Sequence, residues 1–155
     1  MQTIRVTTWD HLKRLLVMVE EYYNMTDTYD CSFPILAGEV ARQFNNTFNY
    51  TYFILYDTEK GVDAGYQNYS VDTTGVYHNL WVDVTYLKKQ YRCKNLFKQH
   101  FLPLIYQLGE AANVKTVRFT TPMTPRVWER MTGRKVTAEN VLVITNKNYK
   151  ENEHV

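Results

Sequence analysis

Residues 88–98 hold Lys88, Lys89, Arg92, Lys94 and Lys98 without one acidic side chain. Such a run suits a phosphate group where a backbone turn and a helix start gather its charges, and it suits a solvated helix start equally well. Cys93 lies inside it between Arg92 and Lys94, surroundings that favour a thiolate. No His or carboxylate stands near it in sequence to complete a nucleophilic pair, so a half-buried structural thiol is the simpler reading. Asp83 and Tyr86 stand just upstream, on a segment that alternates like a strand. A carboxylate there can take a proton from an amine through water, with a nearby Tyr assisting, or can be a solvated strand-face group.

Other chemistries lack their spacing. His11, His78, His100 and His154 form no His-x-x-x-His pair, Cys31 and Cys93 form no Cys-x-x-Cys, and no metal site is expected. The phosphate-cradling Gly-x-x-x-x-Gly-Lys and Gly-x-Gly-x-x-Gly loops are missing, which disfavours nucleotide hydrolysis and dinucleotide redox chemistry. There is no Gly-x-Ser-x-Gly nucleophile elbow either. A net charge of +2 with only one dense basic cluster argues against nucleic acid as a partner. No apolar run reaches the roughly 18 residues of a membrane span. With reduced thiols and no secretory pattern, an intracellular, cytoplasmic protein without a Cys31 to Cys93 disulfide is expected. Asn24, Asn45, Asn49 and Asn68 open Asn-x-Ser/Thr triplets, read as chance in an Asn-rich chain.

The elements that must position these groups follow from periodicity. Residues 2–7 read as a strand, and Thr7 with Asp10 forms a capping box for a helix whose Leu12, Leu15, Leu16, Val19 and Tyr23 recur on one face. A second helix covers 35–44 after Pro34, with Ala37, Val40, Ala41 and Phe44 inward. Residues 51–56 and 62–66 make a hairpin. A longer strand lies within 76–86, with Leu80, Val82 and Val84 on one face and Trp81, Asp83 and Thr85 on the other. A long helix runs from 93 to 112, kinked by Pro103. A strand at 115–121, a short helix at 125–131 and a last Val-rich strand at 135–145 complete one domain, 1–145, before a polar tail at 146–155. Three strands in succession exclude a doubly wound sheet, and only the crossover through the 93–112 helix can join parallel neighbours. The fold class expected is therefore α/β, a mixed and mostly antiparallel sheet flanked by helices in the order β-α-α-β-β-β-α-β-α-β. Thirteen tyrosines supply large amphipathic surfaces, first for the core and then for a groove or an interface.

That order resembles the GCN5-related N-acetyltransferase (GNAT) superfamily over nearly the whole chain. In the family, acetyl-CoA binds where the fourth and fifth strands splay apart, and a Gln/Arg-x-x-Gly-x-Gly/Ala loop takes its pyrophosphate. The corresponding stretch here is Arg92, Cys93, Lys94, Asn95, Leu96, Phe97, with the Arg kept and Asn95 and Phe97 in place of glycines. A Tyr-Glu-x-x-Gly-Phe-like stretch, whose Tyr often protonates the leaving thiolate, is replaced by Trp128, Glu129, Arg130, Met131, Thr132, Gly133. The local sequence before it, Pro122, Met123, Thr124, Pro125, also lacks the usual Asn. Trp128 donates a hydrogen bond but is not a useful acid near neutral pH.

The resemblance implies acetyl transfer from acetyl-CoA to an amine on a small molecule or protein. Val82 and Val84 would contact the cofactor through the strand backbone, Arg92, Cys93, Lys94, Asn95 and Leu96 would hold the pyrophosphate, and Asp83 and Tyr86 would be catalytic. The chain is also similar in pattern to glycine-poor GNAT-like bacteriophage proteins. This implies the alternative of a catalytically silent module that binds a protein partner, in or around a virion.

Overall fold

A computed structural model describes residues 1–72, 78–92, 95–119 and 124–138. The contacts group residues Met1–Thr121 and Pro122–Val155 into two compact units.

The first unit is a five-stranded sheet in the order β1-β2-β3-β4-β5. Its strands are β1 (Gln2–Arg5), β2 (Tyr50–Asp57), β3 (Val62–Asp72), β4 (Asn79–Leu87) and β5 (Thr116–Phe119). The first four pair antiparallel, and β5 lies parallel to β4. The parallel pair is reached through the crossover helix, as the sequence requires.

Helices α1 (Trp9–Met25) and α2 (Phe33–Phe44) cover one face of the sheet. They bury Leu12, Leu15, Met18, Val19 and Val40 against Tyr52, Ile54, Tyr66 and Tyr86. The N-cap of α1 is Thr8 rather than Thr7: its hydroxyl accepts the His11 N–H at 3.2 Å. Arg14 clamps α1 to β3 through two bonds to Asp63, of 3.0 and 2.5 Å. Pro34 opens α2, which starts two residues earlier than its apolar period indicates.

The other face carries α3 (Leu102–Ala111), packed on β4 and β5. The expected kink at Pro103 takes a particular form. Phe97–Phe101 make a π turn in which the Leu102 N–H donates to Phe97 O, and α3 proper then starts with Pro103 in its first turn. A proline there has no N–H to offer the preceding turn, and the widened ladder absorbs the loss.

β3 is six residues longer than the 62–66 segment expected, running through Gln67, Asn68 and Ser70 to Asp72. It carries the register shift that shapes the site. Asn68 pairs with Val84 and Tyr69 with Val82, leaving Asp83 as an extra residue on β4. The bulge moves Val82 and Leu80 to the α3 face while Val84 and Tyr86 stay on the α1 face, so the expected common face for Leu80, Val82 and Val84 does not form.

The second unit contains α4 (Pro125–Thr132), closed by Gly133 at φ 67°, whose N–H donates to Glu129 O at 2.8 Å. Trp128 in it is buried. Residues 135–138 of the expected last strand have no strand conformation. The rest of that strand, 139–145, and the tail at 146–155 lie outside the described residues.

Candidate functional site

The β4–β5 pairing runs from Asn79↔Thr116 to Val82↔Phe119 and, among the described residues, goes no further. β4 itself continues to Leu87. Val82, the last β4 residue paired with β5 among the described residues, is followed directly by the Asp83 bulge. Lys88 N–H donates to Ala64 O at 2.9 Å, and the Tyr86 carbonyl lies against Gly65. Both groups face β3, so strand alternation turns the amides of Thr85 and Leu87 towards the opposite edge of β4.

Gly65 permits this arrangement. A Cβ at that position would stand 2.1 Å from Tyr86 O and 2.9 Å from a Leu87 methyl, so no side chain fits between β3 and β4 there.

Asp83 is exposed. The protein around its carboxyl nevertheless raises its pKa above the ordinary value, a shift that the Ser70 hydrogen bond opposes. Its charge reaches the Tyr52 phenol, whose pKa is raised first by burial and next by Asp83. Tyr52 Oη donates to Gln43 Oε1 at 2.5 Å, and Asn68 Nδ2 donates to the same oxygen at 3.4 Å. Asn68 is buried, and its Oδ1 has no hydrogen-bond partner among the described residues. A row of polar groups thus lines the α2 side of the bulge: Gln43, Tyr52, Asn68, Ser70 and Asp83. Sequence reasoning found only Asp83 of these. Asn68 stands out in sequence only as the start of an Asn-x-Ser/Thr triplet, the expected strand ends at residue 66, and only the strand register places Gln67, Asn68 and Ser70 within β3.

Tyr86 is buried on the α1 face between Tyr22 and Tyr66. Its hydroxyl donates to Glu21 Oε2 at 3.1 Å, and its pKa is pushed up to about 12 by burial and by Glu21. Glu21 also pairs with Lys88 at 3.6 Å, so one charge of the basic run is already matched.

The loop between β4 and α3 holds the remaining cations. Lys89 and Arg92 are exposed, and Arg92 Nε donates to Leu87 O at 2.8 Å. Asn95 takes a left-handed backbone, φ 54°. It therefore adopts the conformation for which glycine is the usual residue, and Asn is among the few others that tolerate it. Leu96 is buried, so only its backbone can meet a ligand; Phe97 turns its ring to Phe101, centroids 6.4 Å apart. Val82 is buried and stands between Tyr69 of β3 and Phe119 of β5, and the half-buried Val84 has the parity of Tyr86, so its backbone groups face Asn68 of β3 rather than the opposite edge. Cys93 and Lys94 lie outside the described residues. Cys31 is a free thiol. Among the described residues no group of three or more His, Cys, Asp or Glu gathers to hold a metal, and no helix is long and apolar enough to cross a membrane.

No protein-family model and no curated protein matches the sequence. Solved structures do match its fold. A possible acetyltransferase from Clostridium difficile 630 superposes with a TM-score of 0.71 at 13% identity, over 94% of this chain and 97% of that one. An aminoglycoside N-acetyltransferase in complex with CoA gives 0.70 at 12% identity, over 94% of each chain. Glucosamine-6-phosphate N-acetyltransferase from Arabidopsis thaliana gives 0.67 at 8% identity, over 96% of this chain and 100% of that one. At such identities the likeness speaks for architecture, and the parallel β4–β5 pair, the bulge and the crossover helix agree with it: the chain has the fold of the GNAT acetyltransferases.

Proposed function

We propose that this chain is an acyl-CoA-dependent N-acetyltransferase that uses acetyl-CoA to acylate an amine. The observation that carries the reading is the Asp83 bulge in β4, beside a parallel β4–β5 pair and before a basic loop whose Asn95 has the left-handed backbone that favours glycine. Acetyl-CoA, when bound, supplies an activated thioester. The residues present fit such a group. The amides of Thr85 and Leu87, turned away from β3, offer donors to a thioester arm and carbonyl, and preorganised backbone donors of this kind stabilise developing negative charge. The helix start at Leu96, with Lys89, Arg92 and Lys94, provides for a pyrophosphate.

Asp83 is the proton acceptor in this reading. It is accessible, it stands at the bulge, and its raised pKa brings it closer to the working range of a base. Tyr86, with its hydroxyl donating to Glu21 and its pKa raised to about 12, stays protonated at neutral pH. Small-molecule amines are favoured as acceptors by the named neighbours, which act on an aminoglycoside and on glucosamine-6-phosphate.

The test is release of CoA thiol from acetyl-CoA in the presence of a panel of aminoglycosides, amino sugars and polyamines. Amine-dependent release that Asp83→Asn lowers by about 10²-fold or more agrees with general-base action. Tight binding of acetyl-CoA with no release for any amine would instead favour a catalytically silent module that engages a protein partner.

A further inference from the structure

The loop proposed to carry the pyrophosphate, residues 88–96, is held from beneath by a group that the acetyl-transfer reading does not use. Tyr91 closes the short 3-10 turn Lys89–Tyr91 and is fully buried at 0% exposure. Its Oη donates to Asp57 Oδ2 at 2.7 Å. Asp57 ends β2, is itself buried, and turns its other oxygen to the N–H groups of Glu59 and Lys60 at 3.1 and 3.2 Å. Its backbone carbonyl accepts the Gly61 N–H at 2.8 Å. One carboxylate therefore binds the β2–β3 turn and the loop after β4 at once. Lys60 places its ammonium 5.7 Å from the Tyr91 ring centroid, on the same junction.

The neighbours of Tyr91 indicate what the junction is for. The buried anchors Tyr91 and Leu96 flank the exposed Arg92 and Asn95. A strained left-handed residue persists only where its surroundings over-determine the backbone. Hydrogen bonds from Arg92 Nε to Leu87 O and from Tyr91 N–H to Lys88 O, each 2.8 Å, are local to the loop, whereas the Tyr91 hydroxyl ties it to a separate hairpin.

We infer that Tyr91 and Asp57 are positioning residues: a buried latch between the β2–β3 hairpin and residues 88–92 that holds this start of the β4–α3 loop, with the exposed Arg92, in place for a phosphate. The inference rests on the acetyl-CoA reading for its function and on the hydrogen-bond geometry for its mechanics. A buried carboxylate oxygen that loses its donor is left unsatisfied, which loosens the loop it held.

Two measurements on the full chain, unaltered and as Tyr91→Phe, test it. One is calorimetric titration with acetyl-CoA, and the other is amide hydrogen exchange at residues 88–92 compared with β2 and α1. The latch predicts a Kd raised about tenfold by losing one buried hydrogen bond, together with faster exchange at 88–92 while α1 keeps its protection. Asp57→Asn, which keeps an acceptor oxygen but offers one instead of two, is expected to fall between. An unchanged Kd, or exchange that quickens everywhere alike, overturns the latch. If the unaltered chain does not bind acetyl-CoA, the cofactor reading fails by itself. Exchange at 88–92 then still judges the mechanics, and equal rates in the unaltered chain and Tyr91→Phe overturn them.

Discussion

Asp83 is an accessible carboxylate whose folded-state pKa lies above its ordinary value of 3.8, and this has two consequences at the residue scale. A group raised on folding stabilises the fold fully below its unfolded pKa and loses that contribution as pH rises through the folded one. The ionised form at neutral pH is therefore a mild burden, and Asp83→Asn is expected to raise the thermal midpoint at pH 7 but not at about pH 3, where both chains are neutral there. The same variant is expected to remove the acid limb of the acetyl-transfer rate profile. Thermal scans at the two pH values and a pH–rate series check these outcomes.

Asn95 makes a complementary prediction. With φ at 54°, Asn95→Ala costs about 1 kcal/mol in denaturant unfolding, while Asn95→Gly is tolerated. The sequence marked this position as a lost glycine; the backbone there is nevertheless left-handed, a conformation Asn tolerates. Replacing Arg92 and Lys94 together by Ala is expected to abolish acetyl-CoA binding in calorimetry. It is expected to leave the thermal midpoint nearly unchanged, since an exposed charge such as that of Arg92 contributes only ~0–1 kcal/mol to folding.

The elements were legible wherever a period repeats. Leu12, Leu15 and Val19 mark the buried stripe of α1, and the β-branched and aromatic run of β2 marks a strand. What stayed hidden was non-local. The extension of β3 through Gln67 and Asn68 depends on partners in β4, because buried polar side chains in a strand leave no hydrophobic alternation to read. The bulge at Asp83 is a pairing event between two strands, so no pattern in β4 alone announces it. The latch joins residues 34 positions apart and is equally silent in sequence.

Gly65 is the element-scale test. Its Cβ would meet the β4 backbone at 2.1 Å, where no flexible side chain can yield. Gly65→Ala is expected to destabilise the first unit by more than about 2 kcal/mol in denaturant unfolding and to weaken acetyl-CoA binding with it, by shifting β4.

At the scale of the molecule, the mixed sheet and the parallel β4–β5 pair were fixed by topology: three strands in succession, then one helix long enough for a crossover. The match to acetyltransferase folds at 8 to 13% identity has the same origin, since layer architecture survives where side chains have diverged. Function rests on the site, and the site rests on whether a loop with Asn95 and Phe97 in the glycine positions still accepts a pyrophosphate. Phe97 turns its ring to Phe101, which places the aromatic group along the helix. The most direct measurement is calorimetric titration of the unaltered chain with acetyl-CoA at low salt. The account predicts saturable one-to-one binding with a Kd below about 1 mM, equivalent to more than about 4 kcal/mol. No saturable heat at several-fold that concentration, on the order of 5 mM, would contradict it.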